Sequence, residues 1–351
     1  MAPIVRLLAQ TAGMESRVCV TAQHRQMLDQ VLKLFEIKPF YDLNLMREDQ
    51  SLAQLSADIF TYLDPVFDDF QPDWVLAQGD TTTVAITALL SYFRRVKFGH
   101  VEAGLRTHDK WQPFPEEINR RVAGVTADLH FAPTEWAKNN LLHEGIKEGS
   151  IKVTGNTVID ALQFVAKQPE PEEVKKIIPA DGKNQRLILV TAHRRENFGK
   201  PLEDICRALK LLAARGDVEI IYPVHLNPNV QEPVNRLLKG VKHVTLLAPL
   251  DYLPLVHLMK RAALILTDSG GIQEEAPAFG IPTLVLREVT ERPEGVAAGT
   301  LKLVGTETSS IVSAAKRLLD DESEYAKMSG AANPYGDGHA AGRIVQHLGN
   351  R

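Results

Sequence analysis

The sequence predicts an α/β protein made of two doubly wound domains with a cleft between them. Short β-branched runs alternate with amphipathic helical stretches along most of the chain, which is typical of parallel sheets with helices on both faces. Several of these runs are apolar nearly throughout, as strands buried on both faces should be. The length of 351 residues also fits two domains of ordinary size.

The predicted strands come in two groups. In the first half of the chain they are "RVCVTA", "DWVLAQG", "KFGHVEA", "DLHFAP" and "IKVTG", and in the second half "RLILVTA", "EIIYPVH", "HVTLLAP", "ALILTD" and "PTLVLR". Amphipathic stretches such as "QHRQMLDQVLKLF" and "LEDICRALKLLAAR" lie between them and predict helices. Ligands in open parallel sheets bind at the carboxyl ends of the strands, so the residues that follow each run are the first candidates for a site.

A polar stretch separates the two groups of strands. Residues 167–185, "KQPEPEEVKKIIPADGKNQ", are rich in proline and charge and carry no strand signal. We therefore predict a first domain at 1–165 and a second at 166–335. The tail "NPYGDGHAAGRIVQHLGNR" starts a new helical pattern, and we expect this helix, within 336–351, to return to the first domain.

Composition excludes several classes of function. Charged residues make up 24%, apolar residues 44%, and the formal net charge is −4, so nothing indicates a nucleic-acid or membrane-surface partner. No apolar window is long enough to span a bilayer, and we see no signal peptide. Cys19 and Cys206 are predicted to be reduced core thiols. We therefore expect a cytoplasmic protein, and no HExxH, paired CxxC or DxD spacing indicates a metal.

Acidic residues follow predicted strands or open a helix in the first domain. Asp80 follows "DWVLAQ" in "GDTTT", and Glu102 follows "KFGHV" in "EAGLRT". Glu116 lies in "WQPFPEEINRR", where Pro115 suits the first turn of a helix. Clustered carboxylates raise one another's proton affinity, so these three are candidates for proton transfer.

Each of these acids also has a structural interpretation. Asp80 can be the N-cap of the next helix. Glu102 can form an ion pair with Arg106, and Glu116 can stabilise the positive end of its own helix. The residue types alone leave both interpretations open.

Basic residues follow two predicted strands of the second domain. His193, Arg194 and Arg195 come together after "RLILVTA", and His225 follows "EIIYPV". One histidine at a strand end is usually structural. Two at neighbouring strand ends, one of them beside paired arginines, point to a site for an anionic ligand.

The stretch "TDSGGIQEEAP" at residues 267–277 combines an anion site with carboxylates. Ser269, Gly270 and Gly271 present backbone N–H groups at the start of a helix, where anions bind. Glu275 lies more than a turn further along, where it can accept hydrogen bonds from a diol. A pyrophosphate next to a ribose satisfies both halves, so we predict a nucleoside diphosphate. The alternative is a glycine turn followed by solvent-facing glutamates.

Motifs for redox cofactors are missing. No GxGxxG follows a strand and no GxxxxGK[ST] is present, which disfavours dinucleotide redox cofactors and P-loop nucleotide hydrolysis. We therefore predict no cofactor.

Taken together, the motifs resemble one family, the non-hydrolysing UDP-N-acetylglucosamine 2-epimerases of bacteria. The resemblance runs almost end to end and rests on "TAQHRQMLDQVL", "GDTTT", "HVEAGLRT", "PEEINR", "GNTVIDAL", "HRRENFG", "PVHLNPNV", "DSGGIQEEAP", "TERPE", "AGT" and "NPYGDG". It implies a GT-B-like fold of two Rossmann-like domains and a homodimer that interconverts UDP-GlcNAc and UDP-ManNAc. In this family the reaction feeds surface polysaccharide synthesis.

The resemblance also implies roles for individual residues. Asp80, Glu102 and Glu116 match the family's active-site acids, and its active-site histidine matches His193. The positions that hold the diphosphate and ribose match Ser269, Gly270, Gly271, Glu275 and Arg292.

A second UDP-GlcNAc site is implied as well. In the family it is an activator site beside the catalytic one, and it matches Gln23, Gln26, Arg194 and His225. One type of member has an arginine where this chain has Asp49, so we expect a difference there.

The family pattern departs from this chain at its start. The family normally begins with an apolar strand and a "GTRPE" loop, followed by a helix that contains "MAP", and here "MAP" is residues 1–3. We therefore expect the first strand to be absent. That strand is usually central in a doubly wound sheet, so its loss would expose neighbouring edges and remove several kcal/mol of burial.

The reaction implied by the resemblance needs no redox step. Breaking the bond between C1 and UDP makes the C2 hydrogen acidic, and elimination gives 2-acetamidoglucal and UDP. Re-addition with protonation at the other face of C2 gives the epimer. His193, Arg292 and the helix start at Ser269 would stabilise the leaving diphosphate, and the three acids would move protons at C2.

Three alternatives remain open from the sequence. One is a glycosyltransferase of the same fold, and another is a hydrolysing epimerase that releases free ManNAc. The third is a non-catalytic nucleotide-sugar-binding protein or an inactive form without the first strand.

Overall fold

The chain divides into two compact units. The computed structural model describes residues 1–22, 25–47, 49–178 and 185–349. Unit 1 contains Met1–Ala161 and Tyr335–Arg351, and unit 2 contains Leu162–Pro334. Every pair of hydrogen-bonded strands in the three sheets is parallel. The predicted α/β class with parallel sheets in two domains is therefore confirmed.

The strands follow one another along the chain in two sets. Those of unit 1 are β1 (Cys19–Val20), β2 (Tyr41–Asp42), β3 (Trp74–Gln78), β4 (Lys97–Val101), β5 (Leu129–Ala132) and β6 (Ile151–Val153). Those of unit 2 are β7 (Arg186–Thr191), β8 (Val218–Pro223), β9 (Val244–Leu247), β10 (Leu264–Thr267), β11 (Thr283–Val285) and β12 (Leu301–Leu303).

The helices fill the connections between strands. In chain order they are α1 (Ala2–Leu8), α2 (Arg25–Leu34), α3 (Leu52–Phe70), α4 (Thr82–Arg94), α5 (Glu116–Thr126), α6 (Glu135–His143), α7 (Thr157–Ala166), α8 (Glu172–Ile177), α9 (Lys200–Ala213), α10 (Pro228–Leu238), α11 (Tyr252–Arg261), α12 (Gly270–Glu275), α13 (Pro293–Ala297), α14 (Thr308–Asp320), α15 (Glu322–Ser329) and α16 (Ala340–Gly349). Short 3₁₀ turns lie at Glu148–Ser150, Arg195–Asn197 and Ala276–Phe279.

The strand order of unit 2 places its functional strand ends together. The six-stranded sheet has the order β12-β11-β10-β7-β8-β9, which is the doubly wound order with its switch point between β7 and β10. Apolar residues of these strands, such as Ile188, Leu264 and Leu266, are fully buried. The loops after β7 and β10 therefore leave the sheet side by side from a rigid core.

Unit 1 contains two separate parallel sheets. The strands β3, β4, β5 and β6 form a four-stranded sheet in chain order, and β1 and β2 form a two-stranded sheet. The last helix, α16, packs in this unit, because Asp160 on α7 accepts hydrogen bonds from the backbone N–H groups of Ala340 (3.1 Å) and Ala341 (2.9 Å) at its start. Ile344 of α16 and Ile4 of α1 share one buried cluster with Phe131 of β5.

Every strand run read from the sequence contains an observed strand, but two strands were missed. These are β2 and β12, which are two and three residues long and mix polar with apolar side chains. Such short segments carry too few alternations to give a strand signal. The polar stretch at 167–185 contains the short helix α8, and residues 179–184 lie outside the described part.

The central strand of unit 2 offers a direct test of core packing. Leu266→Ala should lower the free energy of unfolding by about 2–5 kcal/mol, because it removes a fully buried side chain from β10. The control Leu211→Ala removes a leucine on α9 that is 54% exposed, and it should change stability by less than about 1 kcal/mol. Urea unfolding followed by far-UV circular dichroism compares them, and equal losses would contradict the assigned core.

Candidate functional site

Asp80 lies at the carboxyl end of β3 and is held by α5. Gly79 makes the turn with a φ of 86°. Arg120 donates two hydrogen bonds to Asp80 Oδ2, from Nη2 at 2.6 Å and from Nε at 3.0 Å. Asn119 Nδ2 donates to the Asp80 carbonyl at 2.9 Å. The N-cap of α4 is Thr81 and not Asp80, so the structural alternative for Asp80 is wrong.

Glu102 lies at the end of the neighbouring strand β4. Its φ of 64° is in the left-handed region, which non-glycine residues rarely adopt and which clusters at functional sites. Asn156 Nδ2 donates to its Oε1 at 3.0 Å and Gln78 Nε2 to its Oε2 at 3.5 Å. The alternative ion pair with Arg106 is wrong, because Arg106 is fully buried and pairs with Glu144 at 2.8 Å.

Glu116 and its neighbour Glu117 open α5 and differ in their surroundings. Glu116 Oε2 is buried and has no hydrogen-bond partner in the described part of the chain. Glu117 is completely buried and accepts hydrogen bonds from the N–H groups of Thr107 (3.0 Å) and His108 (3.2 Å). Glu117 therefore anchors the loop before α5. The Glu116 carboxylate, in contrast, has one oxygen without a hydrogen-bond partner among the described residues.

The two loops at the switch point of unit 2 are joined by Asp268. Its carboxylate is fully buried at the end of β10. It accepts the N–H groups of His193 (2.9 Å) and Arg194 (2.8 Å), which follow β7, and Asn197 Nδ2 at 3.0 Å. A buried carboxylate is stable only when such donors compensate it. Sequence reasoning missed Asp268, although its place between a buried strand and "SGG" was a usable signal.

His193 stacks against His225, the histidine that follows β8. The ring centroids are 5.3 Å apart with an angle of 16° between the planes. The His193 side chain is 41% exposed, and its Nδ1 lies 3.8 Å from Asp268 Oδ1. Partial burial lowers the pKa of His193, and the charges of His225 and Arg194 lower it further. The negative charge of Asp268 raises this pKa but does not outweigh the burial. The imidazole is therefore neutral near pH 7.

Positive charge gathers around the glycines that start α12. Ser269 is the N-cap, and a Cβ atom placed on Gly270 would lie 3.5 Å from Arg194 Nη2 and 3.8 Å from Arg292 Nη2. Gly271 is exposed. The helix has only six residues, so its macrodipole is small. The two guanidinium groups, more than the helix start, make this place attractive to an anion.

Glu275 lies one turn further along the same helix and is buried. Its exposed fraction is 6%, and that of Glu274 is 4%, so the alternative of solvent-facing glutamates is wrong. Tyr252 on α11 donates its hydroxyl hydrogen to Glu275 Oε1 at 2.7 Å. Burial, with a smaller contribution from Glu274, raises the pKa of Glu275 to about 7 although the Tyr252 hydrogen bond lowers it.

Arg292 is positioned by the same helix. Its Nε donates to Glu274 Oε1. Thr290 donates to Gln273 Oε1 at 2.5 Å and accepts the Arg292 N–H at 3.1 Å. Consecutive side chains of α12, Gln273 and Glu274, therefore hold the last part of the loop before α13.

The other predicted residues are distributed between the units. Arg194 follows β7 at the switch point of unit 2, and His225 follows the next strand, β8, and stacks on His193. Gln23 lies outside the described residues. Gln26 belongs to α2 in unit 1, and its side chain is also outside the described part.

Two kinds of feature are absent from residues 1–22, 25–47, 49–178 and 185–349. No helix there is long and apolar enough to cross a membrane. No group of three or more His, Cys, Asp or Glu side chains there is arranged to hold a metal ion.

Comparison with known proteins extends over the whole chain. The sequence model of the UDP-N-acetylglucosamine 2-epimerase family matches residues 6–349. The UDP-N-acetylglucosamine 2-epimerase of Escherichia coli (strain K12) is 53% identical in an alignment 356 residues long, which covers 100% of this chain and 95% of that protein.

Solved structures of similar proteins share the fold. UDP-GlcNAc 2-epimerase from Neisseria meningitidis bound to UDP-GlcNAc matches with a TM-score of 0.88 and 48% identity, covering 99% of this chain and 95% of that one. The Methanocaldococcus jannaschii enzyme in complex with UDP-GlcNAc and UDP matches with a TM-score of 0.77 and 33% identity, at 99% and 95% coverage. The predicted GT-B-like fold class is confirmed. The chain belongs to the UDP-N-acetylglucosamine 2-epimerase family, whose members are isomerases.

Proposed function

We propose that the protein is an isomerase that interconverts UDP-GlcNAc and UDP-ManNAc by eliminating UDP and adding it back. The observation that carries this proposal is the similarity to UDP-GlcNAc 2-epimerases over the full chain, including one solved with UDP-GlcNAc bound. The geometry of both units supports it, because cationic groups gather in unit 2, while in unit 1 two of the candidate carboxylates follow neighbouring strands and the third opens α5.

The nucleotide is assigned to the switch point of unit 2. Gly270 and Gly271 offer backbone N–H groups to the diphosphate, and Arg292 adds a positive charge at the same place. The backbone N–H of Ser269, which the sequence suggested as a further donor, is taken by Thr267 Oγ1 at 2.9 Å, so Ser269 would contribute its hydroxyl instead. Glu275 lies further along α12, where its carboxylate accepts hydrogen bonds from the ribose hydroxyls. The diphosphate and the ribose are adjacent in UDP, and the N–H donors and the carboxylate that would bind them are adjacent along α12.

Departure of UDP from C1 places negative charge on the diphosphate. Arg292 and the N–H of the neutral His193 stabilise that charge by hydrogen bonds that strengthen as it develops. His193 suits this role because its backbone is fixed by Asp268 while 41% of its side chain is exposed.

Proton transfer at C2 is assigned to the acids of unit 1. One carboxylate removes the C2 hydrogen as the C1–O bond breaks, which gives 2-acetamidoglucal and UDP. A carboxylic acid then returns a proton to the opposite face of C2 while UDP re-forms its bond to C1. Asp80, Glu102 and Glu116 are the candidates, and Asp80 presents Oδ1 because Arg120 engages only Oδ2.

The resemblance supports further proposals about this enzyme. Gln23, Gln26, Arg194 and His225 form a second, activating UDP-GlcNAc site. The enzyme works in the cytoplasm as a homodimer, needs no cofactor, and supplies a precursor of surface polysaccharide. Cys19 and Cys206, both free thiols, are in keeping with a reducing compartment.

Incubation with UDP-GlcNAc alone tests the proposed reaction. Proton NMR of the anomeric signals should show conversion to UDP-ManNAc, up to an equilibrium mixture and with the nucleotide still attached. Release of free ManNAc with UDP would indicate a hydrolysing epimerase. An unchanged spectrum would contradict catalysis without an acceptor, as expected of a glycosyltransferase or a binding protein.

Solvent deuterium tests the acids. Asp80→Asn and Glu102→Gln should each lower deuterium incorporation at C2 by at least about a hundredfold, since each removes a proton-transfer group. The control Asp73→Asn changes an exposed acid just before the opposite end of β3 and should retain the wild-type rate. Mass spectrometry measures the exchange, and a wild-type rate in either variant would remove that acid from the mechanism.

Glu275 should make stability depend on pH. Its pKa is raised from 4.5 to about 7 in the folded protein, so the folded state binds the proton more tightly than the unfolded state does. The wild type should therefore lose stability as the pH rises from about 4.5 through about 7.

Glu275→Gln removes this dependence, because glutamine does not ionise. The unfolding free energy of the variant relative to wild type should rise across this window by up to roughly 3 kcal/mol and then level off. Urea titrations at pH 5 and pH 8 measure it, with the exposed Glu173→Gln as control. A constant difference between the two pH values would show that the carboxyl titrates normally.

A further inference from the structure

A buried arginine, Arg287, joins the two loops that carry the cationic groups of unit 2. Its side chain is only 5% exposed. Its Nε donates to Glu196 Oε1 at 2.5 Å, in the loop after β7. Its Nη1 and Nη2 donate to Glu291 Oε2 at 2.8 Å and Oε1 at 3.2 Å, in the loop before α13. None of the roles proposed above uses this residue.

Glu291 lies within reach of a second arginine. Its Oε1, the oxygen that accepts from Arg287 Nη2, is 3.7 Å from Arg194 Nη1. That separation is too long for a hydrogen bond, whereas both contacts to Arg287 are within hydrogen-bonding distance. The two arginines therefore compete for one carboxylate, and Arg287 holds it.

We infer that Arg287 is a positioning residue that takes the hydrogen bonds of Glu291, which pairs with Arg194 only at 3.7 Å, and so leaves the N–H donors of Arg194 available to a nucleotide diphosphate. This inference rests on the proposed function, because it takes the ligand to be a uridine diphosphate. The anion site would then depend on a buried arginine that does not itself contact the anion.

The position of Arg194 explains why the placement of Glu291 matters for an anion. A Cβ atom placed on Gly270 would lie 3.5 Å from Arg194 Nη2 and 3.8 Å from Arg292 Nη2. The two guanidinium groups therefore approach the same glycine. Arg292 in turn follows Glu291 directly in the chain. A carboxylate hydrogen-bonded to Arg194 would bring its negative charge closer to the diphosphate proposed at Gly270 and would occupy guanidinium donors that lie beside that glycine.

The electrostatics of Glu291 support this assignment. Although partial burial raises the pKa of Glu291, the hydrogen bonds and charge of Arg287, together with the charge of Arg194, hold it at about 2. The carboxylate is therefore charged at all working pH values. Besides Arg287, the arginine that pairs with this carboxylate is Arg194, at 3.7 Å.

The test uses Arg287→Met, Glu291→Gln and the double variant in the full chain, with UDP and uridine as ligands in titration calorimetry. Arg287→Met should weaken UDP binding roughly ten- to hundredfold, the size of one charge-assisted hydrogen bond to phosphate, and should change uridine binding by less than about threefold. Glu291→Gln alone should bind UDP as well as wild type or better.

The double variant distinguishes positioning from simple structural support. It should recover UDP affinity to within about threefold of wild type, because the released carboxylate is gone. Arg215→Met and Asp217→Asn serve as matched controls, since Arg215 is also held by two carboxylates, those of Asp217 and Asp320, beside the amino end of β8. Both controls should bind UDP as wild type does.

Several outcomes would overturn the inference. Unchanged UDP affinity in Arg287→Met would do so, as would an equal loss for UDP and uridine, which would indicate general damage to unit 2. A double variant no better than Arg287→Met would also refute it. If wild type failed to bind UDP at all, the proposed function itself would fall, and the inference with it.

Discussion

One buried carboxylate, that of Asp268, determines the geometry of the nucleotide site proposed for unit 2. It ends β10 and accepts the N–H groups of His193 and Arg194 at the end of β7. These strands are neighbours only because the doubly wound order places its switch point between them. The cost of burying the charge is offset by donors from the other strand. The loop with the histidine and arginine cannot move without leaving that charge uncompensated.

Around this fixed point, the cationic side chains are balanced by glutamates. Arg292 donates to Glu274, and Arg194 lies near Glu291, which Arg287 holds. A group of arginines close together would repel one another without such partners. Because Arg287 takes the hydrogen bonds of Glu291, part of this balance is made by an arginine that is itself buried.

The sequence predicted which candidate side chains stand at strand ends and helix starts but not what holds them. Asp80 and Glu275 were identified because a strand end or a helix start can be read within about ten residues. Their partners are distant in the chain: Arg120 is 40 residues from Asp80, and Tyr252 is 23 from Glu275. Closeness in the sequence was also a poor guide to ion pairs, since Arg106 pairs with a glutamate 38 residues away instead of with Glu102. Such contacts follow from packing, which one sequence does not reveal.

The proposed chemistry gives a reason for placing the candidate acids in unit 1 and the cationic groups in unit 2. Elimination needs cations to stabilise a leaving diphosphate and carboxylates to accept a proton, and the two kinds of group neutralise each other when they share one buried site. Here Asp80 and Arg292 each have a counter-ion within their own unit, Arg120 and Glu274. The arginine that holds Asp80 is therefore not one that the diphosphate is proposed to use. A single sheet with one switch point would have to place both sets at the same strand ends.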